Sequence, residues 1–305
     1  MLKTVLPVLL MLIIGKFLSQ TKTVSADAID GIKTIVSDIM LPVVVFNAIL
    51  NMEFTEGSAI ISFAVFGMYS VMLILGLAVK SMSAHYHVIP FLLSGSEGGM
   101  IGYPLYISLY GNESLATMMP LDLGNILYTF TVYMILIQLV NNGSIEKRQI
   151  LFNSLKNRFV IFTVAALILN LTGFGRIMLE SSLGEIYGAM VSMLTSSVTA
   201  LILITVGYDL NLDKNLLLPV IKTCLSRFAV MAICLITMLT AFRGLIVSRE
   251  MLIACILYFS LPPQFVVTVF IQENREREYA ATVLSVYTLL TILCFIMLTT
   301  FLPLT

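Results

Sequence analysis

The chain reads as long apolar runs separated by short polar breaks. Ten runs are candidate helices: residues 2–18, 32–50, 59–79, 88–110, 114–140, 159–171, 183–206, 216–242, 251–271 and 279–302. Most approach the about 20 residues that a helix needs to cross the hydrocarbon core of a bilayer. The sixth is short, so its span is expected to begin nearer Ile150. The first run follows Lys3 as the apolar part of a signal peptide would. Lys16, however, interrupts the place of a small-residue cleavage site, so the run is expected to remain as a helix. The expected fold class is an all-α membrane protein with ten transmembrane helices.

Composition strengthens this picture. Hydrophobic residues make up 59% and charged residues 11% of 305, with a mean hydropathy of +1.00. A soluble protein carries about 25% charged residues, so this chain cannot wet a globular surface and its excess apolar surface must meet lipid. Ten spans use about 200 residues and leave about 105 for loops and ends, too few for a soluble domain. Any chemistry therefore sits inside the bilayer. The 17 basic and 17 acidic residues balance, which excludes the basic footprint of a nucleic-acid binder. Cys224, Cys234, Cys255 and Cys294 lie far apart in apolar runs and read as small buried residues, not metal ligands. His85 and His87 form an H-x-H beside a loop without further ligands, so no metal site is expected.

Charge distribution sets the orientation. Lys16, Lys22, Lys33, Lys80, Lys147, Arg148, Lys156, Arg158, Lys214, Arg275 and Arg277 fall on one side, and Lys3, Arg176, Arg243 and Arg249 on the other. Basic loops stay in the cytoplasm, so both termini are expected outside a cell membrane (plasma or inner). With no tryptophan present, Tyr86, Tyr110, Tyr208 and Tyr279 near span ends are the candidates for an interfacial aromatic belt.

The ten spans divide at the basic stretch 141–158 into a first repeat (1–140) and a second (159–305). Five spans per half is an odd number, so the halves insert with opposite orientation, the arithmetic of an inverted repeat. The fourth span of each half is broken. One carries Gly95, Gly98, Gly99 and Gly102 within eight residues, followed by Tyr103 and Pro104; the other carries Pro262, Pro263 and Gln264. Proline lacks an N–H and clashes one turn back, and glycine weakens a helix. Unwound backbone inside a bilayer survives only where protein or a wet cavity surrounds it. Paired broken helices therefore mark a transporter's binding site. N–H groups freed after Pro104 and Pro263 are expected to favour an anionic group.

Ionisable side chains inside spans cost about 2.5–3.5 kcal/mol each on insertion scales, so Glu97, Asp122, Arg227 and Asp38 are expected to be functional or paired. Glu97 lies in the glycine-rich break and is the candidate coupling group, carrying a proton or binding Na⁺. Asp122, followed by Asn125, either lines the cavity or braces the break. Arg227 is expected to pair with a carboxylate, and Asp38 to reach toward a cytoplasmic end.

The run Gly98–Leu105 (GGMIGYPL), followed by Leu109-Tyr110-Gly111, resembles the fourth-helix motif of the auxin efflux carrier (PIN-like) family. Ser260-Leu261-Pro262-Pro263, running on to Phe270-Ile271-Gln272-Glu273, is similar to that family's second crossover helix. Met40–Asn47 (MLPVVVFN), Leu203–Leu210 (LITVGYDL) and Arg227 add supporting patches over nearly the whole chain. The resemblance implies a ten-helix transporter with two crossover helices, elevator-like motion, homodimers, and small organic acid anions as substrates; it adds Asn47 to the candidate site. Two departures stand out. The family commonly has asparagine where this chain has Glu97, and a fixed negative charge there repels an anion unless it is protonated or paired. The long hydrophilic loop of plant members is missing, which favours a compact permease.

The leading expectation is a secondary carrier for a small organic acid, cycling by alternating access, with H⁺ or Na⁺ as coupling ion and no other cofactor. A sodium-dependent symporter similar to the bile-acid transporter family is the alternative. No ATP-binding loop is present. An intramembrane enzyme using Glu97 and Asp122 lacks an activated nucleophile, so the chain is expected not to be an enzyme; a channel fits the paired breaks less well than an occluding site.

Overall fold

The computed structural model describes residues 2–78, 87–142, 156–210, 216–271 and 273–301, and among them every regular element is helical. Lys80, His85, Tyr86, Lys147, Arg148, Lys214 and Gln272 lie outside the described residues, as does most of the stretch 141–158.

Helix α1 (Leu2–Thr21) precedes α2 (Ala26–Ile35), which runs through a π turn at Val36–Met40 into α3 (Leu41–Leu50). This second span starts at Ala26 and not at residue 32, because the Ser25 hydroxyl accepts from the Ala28 N–H at 3.3 Å and caps the helix there. Next come α4 (Glu56–Ala78), α5 (Ile89–Leu93) and α6 (Tyr103–Tyr110), the last two separated by residues 94–97 and a π turn at Gly98–Gly102. Helix α7 (Leu115–Tyr128) passes through another π turn into α8 (Met134–Asn142). The remainder comprises α9 (Arg158–Leu171), α10 (Phe174–Leu179), α11 (Ser182–Asp209), α12 (Leu217–Ala241), α13 (Arg249–Phe259), α14 (Val267–Phe270) and α15 (Asn274–Phe301).

Among the described residues, six stretches are long and apolar enough to cross a membrane: Ala26–Leu50, Glu56–Ala78, Leu115–Val140, Ser182–Asp209, Leu217–Ala241 and Asn274–Phe301. Val5–Thr21 and Arg158–Leu171 are shorter apolar helices. Large apolar side chains stand exposed along several of them, including Ile13 and Phe17 on α1, Ile186 and Met193 on α11, and Leu225 and Phe228 on α12. Surfaces of this kind belong in lipid.

The helices pack as two bundles. In one, α1 lies on α11, α3 on α9, and α11 also meets α2 and α3. In the other, α4 lies on α7 and α12 on α15, α5 lodges against α4 and α12, and α13 lodges against α12 and α7. Contacts between the bundles are sparser and run mainly through α6 against α1 and α11, and α3 against α7.

Glycines set the closest approach within the first bundle. A Cβ on Gly207 would lie 2.8 Å from the Leu12 carbonyl carbon, and one on Gly15 would lie 2.8 Å from the Tyr208 nitrogen. Overpacking of this kind costs about 1–3 kcal/mol. Gly207→Leu is therefore expected to lower the melting temperature of the detergent-purified protein. Gly188→Ala, on the same helix with no atom within 4 Å of its Cβ position, should leave it unchanged.

The belt expectation needs one correction. Tyr279 is buried, not interfacial, with its hydroxyl 2.6 Å from the Thr223 hydroxyl. Tyr208 is half-buried and donates to the Val24 carbonyl at 3.1 Å.

Candidate substrate site

The two broken helices meet at their breaks. The Glu97 N–H donates to the Pro262 carbonyl at 3.0 Å, tying one unwound segment to the other. After α5, Ser94 turns extended and Gly95 adopts a φ of 74°, a left-handed conformation that glycine takes without steric cost. Side chains from neighbouring helices then satisfy the unwound backbone. Asn125 of α7 treats Ser96 as a strand neighbour would: its Oδ1 accepts from the Ser96 N–H at 3.2 Å and its Nδ2 donates to the Ser96 carbonyl at 2.9 Å. The Tyr128 hydroxyl donates to Ser94 Oγ at 2.7 Å, and the Tyr69 hydroxyl lies 2.7 Å from Ser96 Oγ.

Each half-helix ends at the crossing with unpaired groups. The carbonyl ends converge on Arg227. From the middle of α12, its Nη1 donates to Leu92 O at 2.9 Å, and its Nη2 to Gly95 O at 2.7 Å and to Leu261 O at 2.9 Å. The guanidinium is wholly buried and lies 5.1 Å from the centroid of the Tyr287 ring. This corrects the expected carboxylate partner for Arg227. The negative ends of two half-helices provide the opposing partial charge instead, and no described ion pair includes Arg227.

The N–H ends are already occupied. Glu97 Oε2 accepts from the Phe265 N–H at 2.8 Å, and Oε1 accepts from the Met100 N–H at 3.2 Å. Its carboxylate thus bridges both breaks.

Beside it, Asp122 is buried and accepts from the hydroxyl of Tyr103, from the Tyr258 hydroxyl at 2.7 Å and from Asn125 Nδ2 at 3.4 Å. One α7 carboxylate thereby joins a residue of α6 to one of α13. Gln264 donates from Nε2 to Asn125 Oδ1 at 2.9 Å and to Thr129 Oγ1 at 2.5 Å, while its Oε1 is buried without a hydrogen-bond partner among the described residues.

A cavity of about 1080 Å³ lies along the seam between the bundles. Ser96, Glu97, Gly98, Asp122, Asn125 and Gln264 line its inner end, with Thr129, Phe265, Ser285 and Thr288 beside them. Its other end carries Lys33, Asp38, Lys156, Arg158, Asp209 and Arg277. There Arg158 pairs with Asp38 at 3.2 Å, and Lys33 pairs with Asp209 at 2.7 Å and Asp30 at 3.0 Å. No group of three or more His, Cys, Asp or Glu side chains among the described residues could hold a metal ion.

Of the sequence-predicted residues, Glu97, Gly98, Gly99, Asp122, Asn125 and Gln264 share the cavity wall. Tyr103 stands behind it, bonded to Asp122. Gly102 packs against Leu261 and Met118, where a Cβ would approach each within 2.8 Å. The expected N–H freed after Pro104 is not found. Pro104 occupies the first turn of α6, where a helix has no use for that N–H, and the unwinding lies earlier, at residues 94–97. Pro262 and Pro263 form the second break, and the N–H after Gln264 is the one that Glu97 holds. Asn47 is not in the cavity wall; its Oδ1 accepts from Asn51 Nδ2 at 3.2 Å.

Sequence reasoning missed Ser96, Thr129, Ser285 and Thr288. Three of these had a usable signal. Thr129 follows Asn125 by one turn and so shares its face, and Ser285 and Thr288 are polar at a spacing of three in an apolar run.

Membrane-length apolar helices, two unwound segments crossing at a cavity, and buried charges held at that crossing are, among the described residues, the features of a membrane transport protein. The family model described as membrane transport protein, the auxin efflux carrier (PIN-like) family, matches residues 1–303, and the chain belongs to that family. A search of the curated proteins found no match.

Proposed function

We propose that the protein is a secondary carrier that moves a small organic acid anion across a cell membrane by elevator-type alternating access. The observation that carries this reading is the position of the cavity: it lies between two separately packed bundles and ends at the crossing of two broken helices. One bundle sliding against the other would carry the crossing, and a solute held there, from one face toward the other. Counted together, the six long helices, the two shorter apolar ones and the two broken helices would make ten spans, five on each side of 141–158. That count supports the inverted repeat. The cavity's charged lining includes Lys33, Lys156, Arg158 and Arg277, residues of the side assigned to the cytoplasm, which supports reading the arrangement as inward-facing with both termini outside.

Glu97 is the coupling group of this reading. It lines the cavity, and among the described residues its side-chain partners are two N–H groups and no cation. In proteoliposomes of the purified protein, uptake of a panel of short carboxylates is expected to rise with an inward proton gradient. Glu97→Gln should abolish that dependence while the protein still folds. Pumping driven by a sodium gradient at constant pH would instead identify a sodium symporter. Pore-like, non-saturating flux would exclude a carrier.

A further inference from the structure

The crossing provides two backbone N–H groups at an anion position, and the chain fills that position with its own side chain. Phe265 N–H and Met100 N–H, one from each broken helix, both donate to the single carboxylate of Glu97, at 2.8 and 3.2 Å. A second observation at the same wall points to a missing ligand. Ser96 can only donate through its N–H and accept through its carbonyl, so its two bonds to Asn125 fix that amide's orientation. Asn125 Oδ1 then requires the Nε2 side of Gln264, which fixes Gln264 as well. Gln264 Oε1 is left as a buried acceptor without a donor, on a residue only 4% exposed that lines the cavity. Buried polar groups in native proteins have partners, and a hydroxyl carried by an arriving acid would provide one.

We propose that the Glu97 carboxylate is a tethered occupant of the substrate's own anion position, which a substrate carboxylate takes over when Glu97 accepts a proton. This rests on the carrier reading above. Protonation removes the negative charge that holds the two N–H groups, and the incoming carboxylate restores a charge-assisted pair of bonds to them. The site's charge is the same before and after: one proton arrives on Glu97 as one anion arrives on the N–H groups. Each carboxylate then travels with one proton.

Other charges bear on the site. Asp122 of α7 is the other carboxylate of the cavity wall, with the Tyr103 hydroxyl bonded to it. Arg227 sits behind Gly95 with Nη1 and Nη2 on carbonyls and its Nε without a hydrogen-bond partner among the described residues. Lys33, Asp38, Asp209 and Arg277 stand toward the mouth.

The test uses acetate, the chemical fragment that Glu97→Ala removes. Thermal stabilisation of the purified full chain by sodium acetate, against sodium chloride, is followed at alkaline and at mildly acidic pH. At alkaline pH, Glu97→Ala should bind acetate about 10- to 100-fold more tightly than the wild type, the range of one charge-assisted hydrogen bond. Wild-type affinity should rise on acidification, and that rise should vanish in Glu97→Gln. Equal acetate affinity of wild type and a folded Glu97→Ala at alkaline pH would overturn the proposal. So would a wild-type affinity that does not change with pH, a measurement that stands even where Glu97→Ala fails to fold. Acetate exchange without flux of any acid would uphold the tethered occupant and overturn the carrier reading; acid flux without acetate exchange would do the reverse.

Discussion

Arg227→Met is expected to disable the protein more completely than any other single exchange at the crossing. Methionine matches the apolar length of arginine but leaves the Leu92, Gly95 and Leu261 carbonyls without their donors. No water is available in the bilayer core to replace them. A hydrogen bond to a charged group contributes about 1.5–3 kcal/mol, and removing one partner of a buried charged contact typically costs about 3–5 kcal/mol. The expected result is a large fall in melting temperature and in the yield of monodisperse protein, with no measurable transport in what survives. Arg227→Lys should recover only part of this, because a compact ammonium cannot spread its donors as a planar guanidinium does. Wild-type thermal stability in Arg227→Met would show that the carbonyl ends find other partners.

The second large effect is expected at Asp122. This carboxylate takes the hydroxyls of Tyr103 and Tyr258 and an amide proton of Asn125. Asp122→Ala would strand these donors in a buried site, at about 1–3 kcal/mol for each left unsatisfied. It would also free Asn125, which holds both backbone groups of Ser96 in place. Transport should fall by more than about 100-fold, beyond what lost stability explains, because a shift of about 1 Å in a positioned site costs that much. Asp122→Asn retains one acceptor oxygen and should fall between alanine and wild type. Measuring initial uptake rates alongside melting temperatures separates the two effects, and an Asp122→Ala protein that transports normally would remove Asp122 from the site.

Much of this arrangement could be read from the letters. Apolar run lengths mark the membrane helices, and the glycine cluster and the proline pair mark the two breaks, because each directly limits what a backbone can do. The rest depends on three-dimensional neighbours. Arg227 was assigned a carboxylate partner because carboxylates are visible in a sequence, while the carbonyls it holds belong to Leu92, Gly95 and Leu261, whose names advertise no acceptor. Pro104 read as a breaker, yet the same residue serves as a helix start when it falls in the first turn. Asn47 came only from a resemblance and bonds locally within its own turn. Tyr279 lies near the end of a predicted span, but whether such a ring meets headgroups or core depends on which helix stands opposite.

The crossing also has a meaning for the membrane potential. Arg227, Glu97 and Asp122 belong to one body, the bundle built on α7 and α12 and the two broken helices. Fully ionised, these three side chains sum to one negative charge. A body that takes them across the field responds to voltage by about 2.3 kcal/mol per charge for each 100 mV. In the proposed carrier a single proton makes the trio neutral, and the monocarboxylate bound with it restores one negative charge. The empty and the loaded body would then respond alike to an imposed potential.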